Sequence, residues 1–341
     1  MPTNFYTSAQ SYKQDFLSGL NRILDIPGLG TYILACANAS FDPLIFAEMR
    51  PRLQQAFNHY QEDLCLALKE GKPVDVADDD LIVFLKMVCI KFPDLQVTEW
   101  RQPAQWNIQF NPLRALRPAR SSQQRIQQIH QPFNPDAFHF NKTFLQKEAF
   151  WTGQLANKDI TLYYNKFPFI DYHLLLLPER EQCLPQQLTE DYHHYAWQIS
   201  QQINQDIPGT GLAFNSLGAL ASINHLHFHL FTSERDLPVT HSRWQHNGGN
   251  EEYPCDCQRI DSAEQAWRVI QQLQDNNQAH NLIYQHGSIY IMARKMQGDY
   301  PQPVWTSGLS WYELSGNFVT FNRQDFEMLD DEKIREALGR V

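Results

Sequence analysis

The 341-residue chain is 43% hydrophobic and 19% charged, which suits one or two globular domains with a sizeable core and excludes a disordered chain. A net charge of −10 argues against non-specific nucleic-acid binding, no apolar run reaches the length of a membrane span, and residues 1–13 lack a signal-peptide core. Six cysteines are sparse for this length and fit a cytoplasmic protein with reduced thiols.

Residues 1–95 read as mostly helical. Asp42-Pro43 opens a stretch with Phe46, Met49, Leu53, Phe57 and Tyr60 at helical spacing, and Gly71-Lys72-Pro73 breaks it. Asp78-Asp79-Asp80 reads as a helix start or a solvated acidic cluster. No acidic residue falls between Glu99 and Asp136, a gap that holds Arg101, Arg114, Arg117, Arg120 and Arg125. Arginine suits bidentate phosphate contact, although alone this strip reads as a solvated loop. Residues 131–135 read as a turn, and 138–140 as a strand start. Residues 160–164 and 174–177 read as strands, the second stopped by Pro178. Residues 188–205 read as a helix ended near Pro208-Gly209, with His193-His194 on its surface. A strand is expected at 212–232, a helix at 263–273, and late strands at 281–292 and 318–321. Cys255-Asp256-Cys257 reads as a loop. Separated runs of helices and strands predict an antiparallel α+β fold.

The densest chemical signal lies in residues 221–231, where His225, His227 and His229 alternate with Leu226, Phe228 and Leu230. In an extended chain the three imidazoles share one face and the apolar residues the other. Such a row is costly to bury without partners, so it is expected to meet water, a metal or an anionic ligand. It can bind zinc, or one imidazole can attack phosphorus while its neighbours set tautomer and charge.

Two segments belong together: 165–173, running through four leucines to Pro178, and Phe214-Asn215-Ser216-Leu217-Gly218, running on to His229. The pairing resembles the histidine-triad superfamily of nucleotidyl hydrolases and transferases, and within it the GDP-hexose phosphorylase branch. Residues 131–142, 181–186, 289–295 and 311–316 are similar to that branch too, and the resemblance covers about residues 100–330. It implies an antiparallel sheet of histidine-triad type over 96–341, with helices packed on it and a helical extension at 1–95. It implies that His227 attacks the α-phosphorus of a nucleoside diphosphate sugar. His225 would fix its orientation and tautomer, and His173 would face and support it from the neighbouring strand. Asn215 and Ser222 match phosphate-contacting positions. Phe138, Phe140, Asn141 and Lys142 match a strand facing base and ribose, with Arg294, Lys295 and Glu313 as weaker candidates. Inorganic phosphate would be the second substrate, with no cofactor, metal, nucleic acid or membrane involved; homodimers are common in the superfamily.

His229 departs from the plant branch, which has glutamine there. A histidine can donate a proton or activate water, which favours hydrolysis, whereas the wider resemblance favours phosphorolysis. Two other enzymes remain in view, a dinucleoside tetraphosphate phosphorylase and a histidine-triad hydrolase. Outside enzymes the alternatives are a zinc-binding structural or regulatory protein and a nucleotide-sensing module.

Overall fold

A computed structural model of the chain describes residues 5–74, 76–117 and 125–341; Arg120 lies outside the described residues. Four helices come first: α1 (Ala9–Leu24), α2 (Leu29–Ala39), α3 (Pro43–Lys69) and α4 (Asp78–Ile90). Their starts follow local chemistry. The Ser8 hydroxyl accepts from the Ser11 N–H, and the Asp42 carboxylate accepts from the N–H groups of Leu44 and Ile45, with Pro43 in the first position. Asp78, Asp79 and Asp80 fill the first turn of α4, where the helix dipole favours negative charge.

The remaining elements are β1 (Glu99–Arg101), β2 (Asn107–Phe110), α5 (Pro112–Ala115), β3 (Ala149–Leu155), β4 (Lys158–Tyr164), β5 (Leu174–Pro178), α6 (Glu190–Asp206), β6 (Thr210–Asn215), β7 (Phe228–Thr232), β8 (Gln258–Ile260), α7 (Ala263–Asp275), β9 (His280–Gln285), β10 (Ser288–Ala293), α8 (Trp311–Leu314), β11 (Asn317–Thr320), α9 (Arg323–Met328) and α10 (Asp331–Leu338). Eight strands form one antiparallel sheet in the order β3-β4-β5-β7-β6-β9-β10-β8. A second sheet, β1-β2-β11, contains a parallel β2–β11 pair.

Register explains the alternation read in the sequence. Phe228 pairs with Leu176, and Leu230 with both Leu174 and Leu212. This face carries Leu226, Phe228 and Leu230 into a core shared with Phe16, Leu34, Phe46, Ile199 and Ile270, so the N-terminal helices together with α6 and α7 cover it. His229 pairs with Leu175 and Ala213 on the opposite face. A second core, around Trp106, Trp244, Trp311 and Phe318, covers one end of that face.

Four expectations are corrected. The strand at 212–232 is two strands, because left-handed φ angles at Gly218 (79°) and Leu220 (70°) turn the chain between them. Residues 281–292 form a hairpin, turning through His286 and Gly287, both with positive φ. Phe138–Phe140 is not a strand, since the Phe140 N–H donates to the His225 ring instead of a ladder. His193 is fully buried, with its ring bonded to the Tyr284 hydroxyl and the Ala263 carbonyl.

Candidate active site

Only His229 of the three alternating histidines lies within a paired strand; His225 and His227 precede β7. They are held extended by other means. The Leu226 N–H donates to the Leu184 carbonyl. At His227 the neighbouring strand is replaced by one side chain. Gln186 accepts from the His227 N–H (2.9 Å), donates to the His227 carbonyl (3.1 Å), and donates to the Asn215 carbonyl (3.0 Å). Its amide is thus a wedge between the diverging ends of β6 and β7. The Gln186 N–H in turn donates to Asn224 (2.8 Å), whose amide reaches the carbonyls of Gln131 and Pro132. Three segments far apart in the sequence therefore meet at His227.

The rings are largely buried, and each has at least one hydrogen-bond partner in the chain. His173, His225 and His227 are 0%, 1% and 4% exposed, and His229 is half-buried. His227 Nδ1 lies 2.7 Å from the His225 carbonyl and donates to it, so the neutral ring keeps its lone pair on Nε2. That Nε2 has no partner among the described residues. The carbonyl of His225, not its ring, sets this tautomer. The His225 ring accepts from the Phe140 N–H (3.2 Å) and donates to the Arg180 carbonyl (3.0 Å), locking the 138–141 segment beside the triad.

His173 does not face His227. Its Nε2 lies 2.9 Å from His229 Nδ1, while the His227 and His229 rings are 5.7 Å apart. Burial pushes His225 and His227 down to about 4 and holds His173 and His229 well below the usual imidazole range. At neutral pH the cluster is a set of uncharged rings. The charges of Arg114 and Arg117 lower His229 further.

The arginine strip disperses. Arg101 reaches carbonyls at Phe326 and Leu329, and Arg125 pairs with Asp299 at 3.1 Å. Arg114 is no solvated loop residue. Asn111 caps α5, which buries Arg114 with its guanidinium 4.8 Å from the Phe169 ring centroid and bonded to the Phe167 carbonyl. Its Nε is buried and unpartnered, and burial lowers its pKa to about 9.

The other candidates divide. Asn215 accepts from Asn281 (2.6 Å) and from the Trp311 N–H, which leaves its own N–H₂ without a partner among the described residues. Ser222 is exposed at the rim. Phe140 is buried, 5.2 Å from the His227 ring centroid, whereas Phe138 stands 47% exposed beside it. Asn141 exchanges bonds with Arg180, and Lys142 is half-exposed. Arg294 is buried and occupied by Asn281, the Leu309 carbonyl and the Tyr300 hydroxyl, so it acts on Asn215 through Asn281. Lys295 points away to the Arg340 carbonyl. Glu313 is buried and caps α8 by bonding Ser310. Gln186, Asn165 and Asn224 were missed as site residues; Gln186 sits inside a segment already singled out at 181–186. Among the described residues, no group of three or more His, Cys, Asp or Glu side chains is placed to hold a metal ion.

Comparison with known proteins agrees with the resemblance read from the sequence. The family model "GDPGP1-like, N-terminal domain" matches residues 101–231. GDP-D-glucose phosphorylase 1 of Macaca fascicularis is 37% identical over 123 residues, which is 34% of this chain and 31% of that protein. The Danio rerio protein of that name is 35% identical over 125 residues, covering 36% of this chain and 35% of its own length. GDP-L-galactose phosphorylase 2 of Arabidopsis thaliana is 28% identical over 138 residues, covering 35% and 32%. The alignments thus span about a third of the length of these relatives. The crystal structure of yeast Ap4A phosphorylase Apa2 superposes with a TM-score of 0.50 at 16% identity, over 76% of this chain and 93% of that one. The fold is therefore the expected α+β arrangement, a large antiparallel sheet with helices, similar to that of Apa2. No described helix is long and apolar enough to cross a membrane.

Proposed function

We propose that the chain cleaves a nucleoside diphosphate sugar by phosphorolysis, with His227 as nucleophile and a GDP-hexose as substrate. The observation that carries this is the bond from His227 Nδ1–H to the His225 carbonyl, which leaves Nε2 with the lone pair that attacks. Nε2 attacks the α-phosphorus and a new N–P bond forms. The bond from that phosphorus to the bridging oxygen breaks, and hexose 1-phosphate departs with the electron pair. The positive charge that develops on His227 is stabilised by the carbonyl at Nδ1. Inorganic phosphate then attacks the nucleotidyl-His227, giving GDP and restoring the neutral ring. Asn215 supplies an unoccupied N–H₂ for the phosphates, and the exposed Phe138 a flat surface for the base. Guanine and the hexose come from the names of the relatives that the chain resembles. The free cysteines fit a cytoplasmic setting. The division into an extension at 1–95 and a histidine-triad domain at 96–341, and a homodimer, belong to the same proposal.

The test is product analysis with GDP-glucose, GDP-mannose and GDP-L-galactose, each with and without phosphate. Phosphate-dependent GDP is expected; phosphate-independent GMP would make the protein a hydrolase.

Gln186→Leu keeps the volume but leaves the N–H and carbonyl of His227 unpaired. A buried group without its partner costs about 1–3 kcal/mol. We expect kcat to fall about 10–100-fold with little change in KM, and a lowered thermal midpoint. An unchanged kcat would show that the wedge does not position His227.

A further inference from the structure

The face of the large sheet that carries the histidines also carries an open floor beside them. Within β5, Leu175 alone is half-buried, and it pairs with His229 on one side and with Tyr163 on the other. Directly paired residues on neighbouring strands share a face, so a ligand held at His227 can extend across Leu175 toward Tyr163. Aromatic rings wall this floor. Phe140, 5.2 Å from the His227 ring, stacks on Tyr163 at 6.2 Å and 16°, and Phe138 and Phe144 stand exposed next to it. Two residues past Tyr163, the Asn165 amide comes within 3.4 Å and 3.3 Å of the two His173 ring nitrogens, and Lys166 pairs with Asp80 of α4 at 2.5 Å. Ala149, which opens β3, pairs with Tyr163. Glu148 therefore stands at the end of the floor, close enough for its charge to act on the Tyr163 hydroxyl.

Glu148 is half-buried, yet its carboxylate makes no hydrogen bond and no ion pair among the described residues, and the Tyr163 hydroxyl makes none either. Burial raises the Glu148 carboxyl above its usual value, while the charges of Lys166 and Lys147 favour the ionised form and that of Asp80 opposes it. A carboxylate withdrawn from water without donors is costly, and a ligand that brings donors removes the cost. We propose that Glu148 reads the Watson–Crick edge of a nucleobase lying on the Phe140–Tyr163 side of the cleft, and that it selects guanine. This rests on the nucleotidyl-transfer reading and deepens it to the choice of base. An ionised carboxylate only accepts, through two oxygens side by side. Among the common bases, guanine alone presents two adjacent donors on that edge, N1–H and the 2-amino group. Adenine puts a lone pair at N1 beside its amino group, cytosine puts one at N3, and uracil has a single N–H between two carbonyls. Each of these sets an acceptor against Glu148. The guanine pair is charge-assisted and partly out of water, where a mismatched edge leaves the carboxylate unpaired. Stacking on the aromatic rings serves any base, so the rings hold the base and Glu148 chooses it.

Calorimetric binding of GMP, IMP and AMP tests this without turnover. IMP is GMP lacking the 2-amino group. The wild-type protein is expected to bind GMP about 10-fold more tightly than IMP and about 100-fold more tightly than AMP. Glu148→Gln keeps the shape, removes the charge and replaces one acceptor with a donor. It is expected to lower the GMP-over-AMP ratio about 10-fold or more, with a thermal midpoint no lower than that of the wild type. The ratio of kcat/KM for GDP-glucose over ADP-glucose should fall in parallel. Equal wild-type affinity for GMP and IMP would overturn the proposal with no variant needed, and so would an unchanged GMP-over-AMP ratio in Glu148→Gln. If the wild type prefers GMP through Glu148 yet cleaves no GDP-hexose, the choice of base stands and the nucleotidyl-transfer reading fails. If it binds none of the three nucleotides, both fail.

Discussion

With His227 as the proposed nucleophile, His227→Ala is expected to abolish turnover of a GDP-hexose and to leave a folded protein. Losing a covalent nucleophile typically lowers kcat by about 10⁴-fold or more, because the remaining binding groups cannot split the reaction into two easier steps. The fold survives because the backbone of residue 227 is held by Gln186 at both its N–H and its carbonyl, and neither bond involves the deleted ring. Among the described residues the ring itself makes one hydrogen bond, to the His225 carbonyl. Removing it costs that bond and a small cavity, about 1–3 kcal/mol. Chromatography of products and a thermal melt of the same sample decide it. A folded variant that still turns over substrate would remove His227 from the mechanism.

Acid destabilises the protein before its carboxylates titrate. Burial lowers His193, His225, His227 and His280 to about 4, and holds His173 and His229 well below the ordinary value of 6.5. In the fold each ring stays neutral down to its depressed value, whereas in the unfolded chain it binds a proton near 6.5. Between the two, the unfolded chain holds more protons, so unfolding free energy falls as pH falls. A shift of that size corresponds to about 3 kcal/mol per ring, and several together reach the whole stability of an ordinary domain. Glu148, Glu313 and Asp171 oppose this in part, since burial raises their carboxyls and the fold holds their protons more tightly. Urea midpoints followed by tryptophan fluorescence should be steady above pH 7 and drop steeply from pH 6.5 toward 5. A flat midpoint down to pH 5 would mean that the rings are hydrated or charged in the native state. The same neutrality predicts a kcat insensitive to pH from 6 to 8, with the acid limit set by unfolding rather than by protonation of His227.

Much of the fold could be read from local patterns. Leu226, Phe228 and Leu230 enter one core because a period of two puts them on one face of the sheet, and that parity persists through Leu226, ahead of the paired strand. The cap at Asp42 and the acidic first turn at Asp78–Asp80 act within a few residues, so the helix starts were legible as well. The breaks were harder. Gly218 and Leu220 turn a segment that the histidine pattern made look like one strand, and only φ angles enforced by neighbouring packing show it.

The candidate site divides along the same line. The histidine alternation carries the proposed nucleophile and its neighbours, and the motifs around it fall within the residues that the GDPGP1-like family model matches. Which atom of each ring is free is a property of partners distant in the chain. Phe140 and Arg180 settle His225, His173 meets His229, and Gln186 takes the place of a strand beside His227. Arg114 shows the same limit: in sequence it belongs to a basic strip, and in the fold α5 buries it against Phe169. Residue types and periodicity act locally and are written into the chain. Tautomers and burial depend on which long-range hydrogen bonds form, and tertiary structure alone decides those.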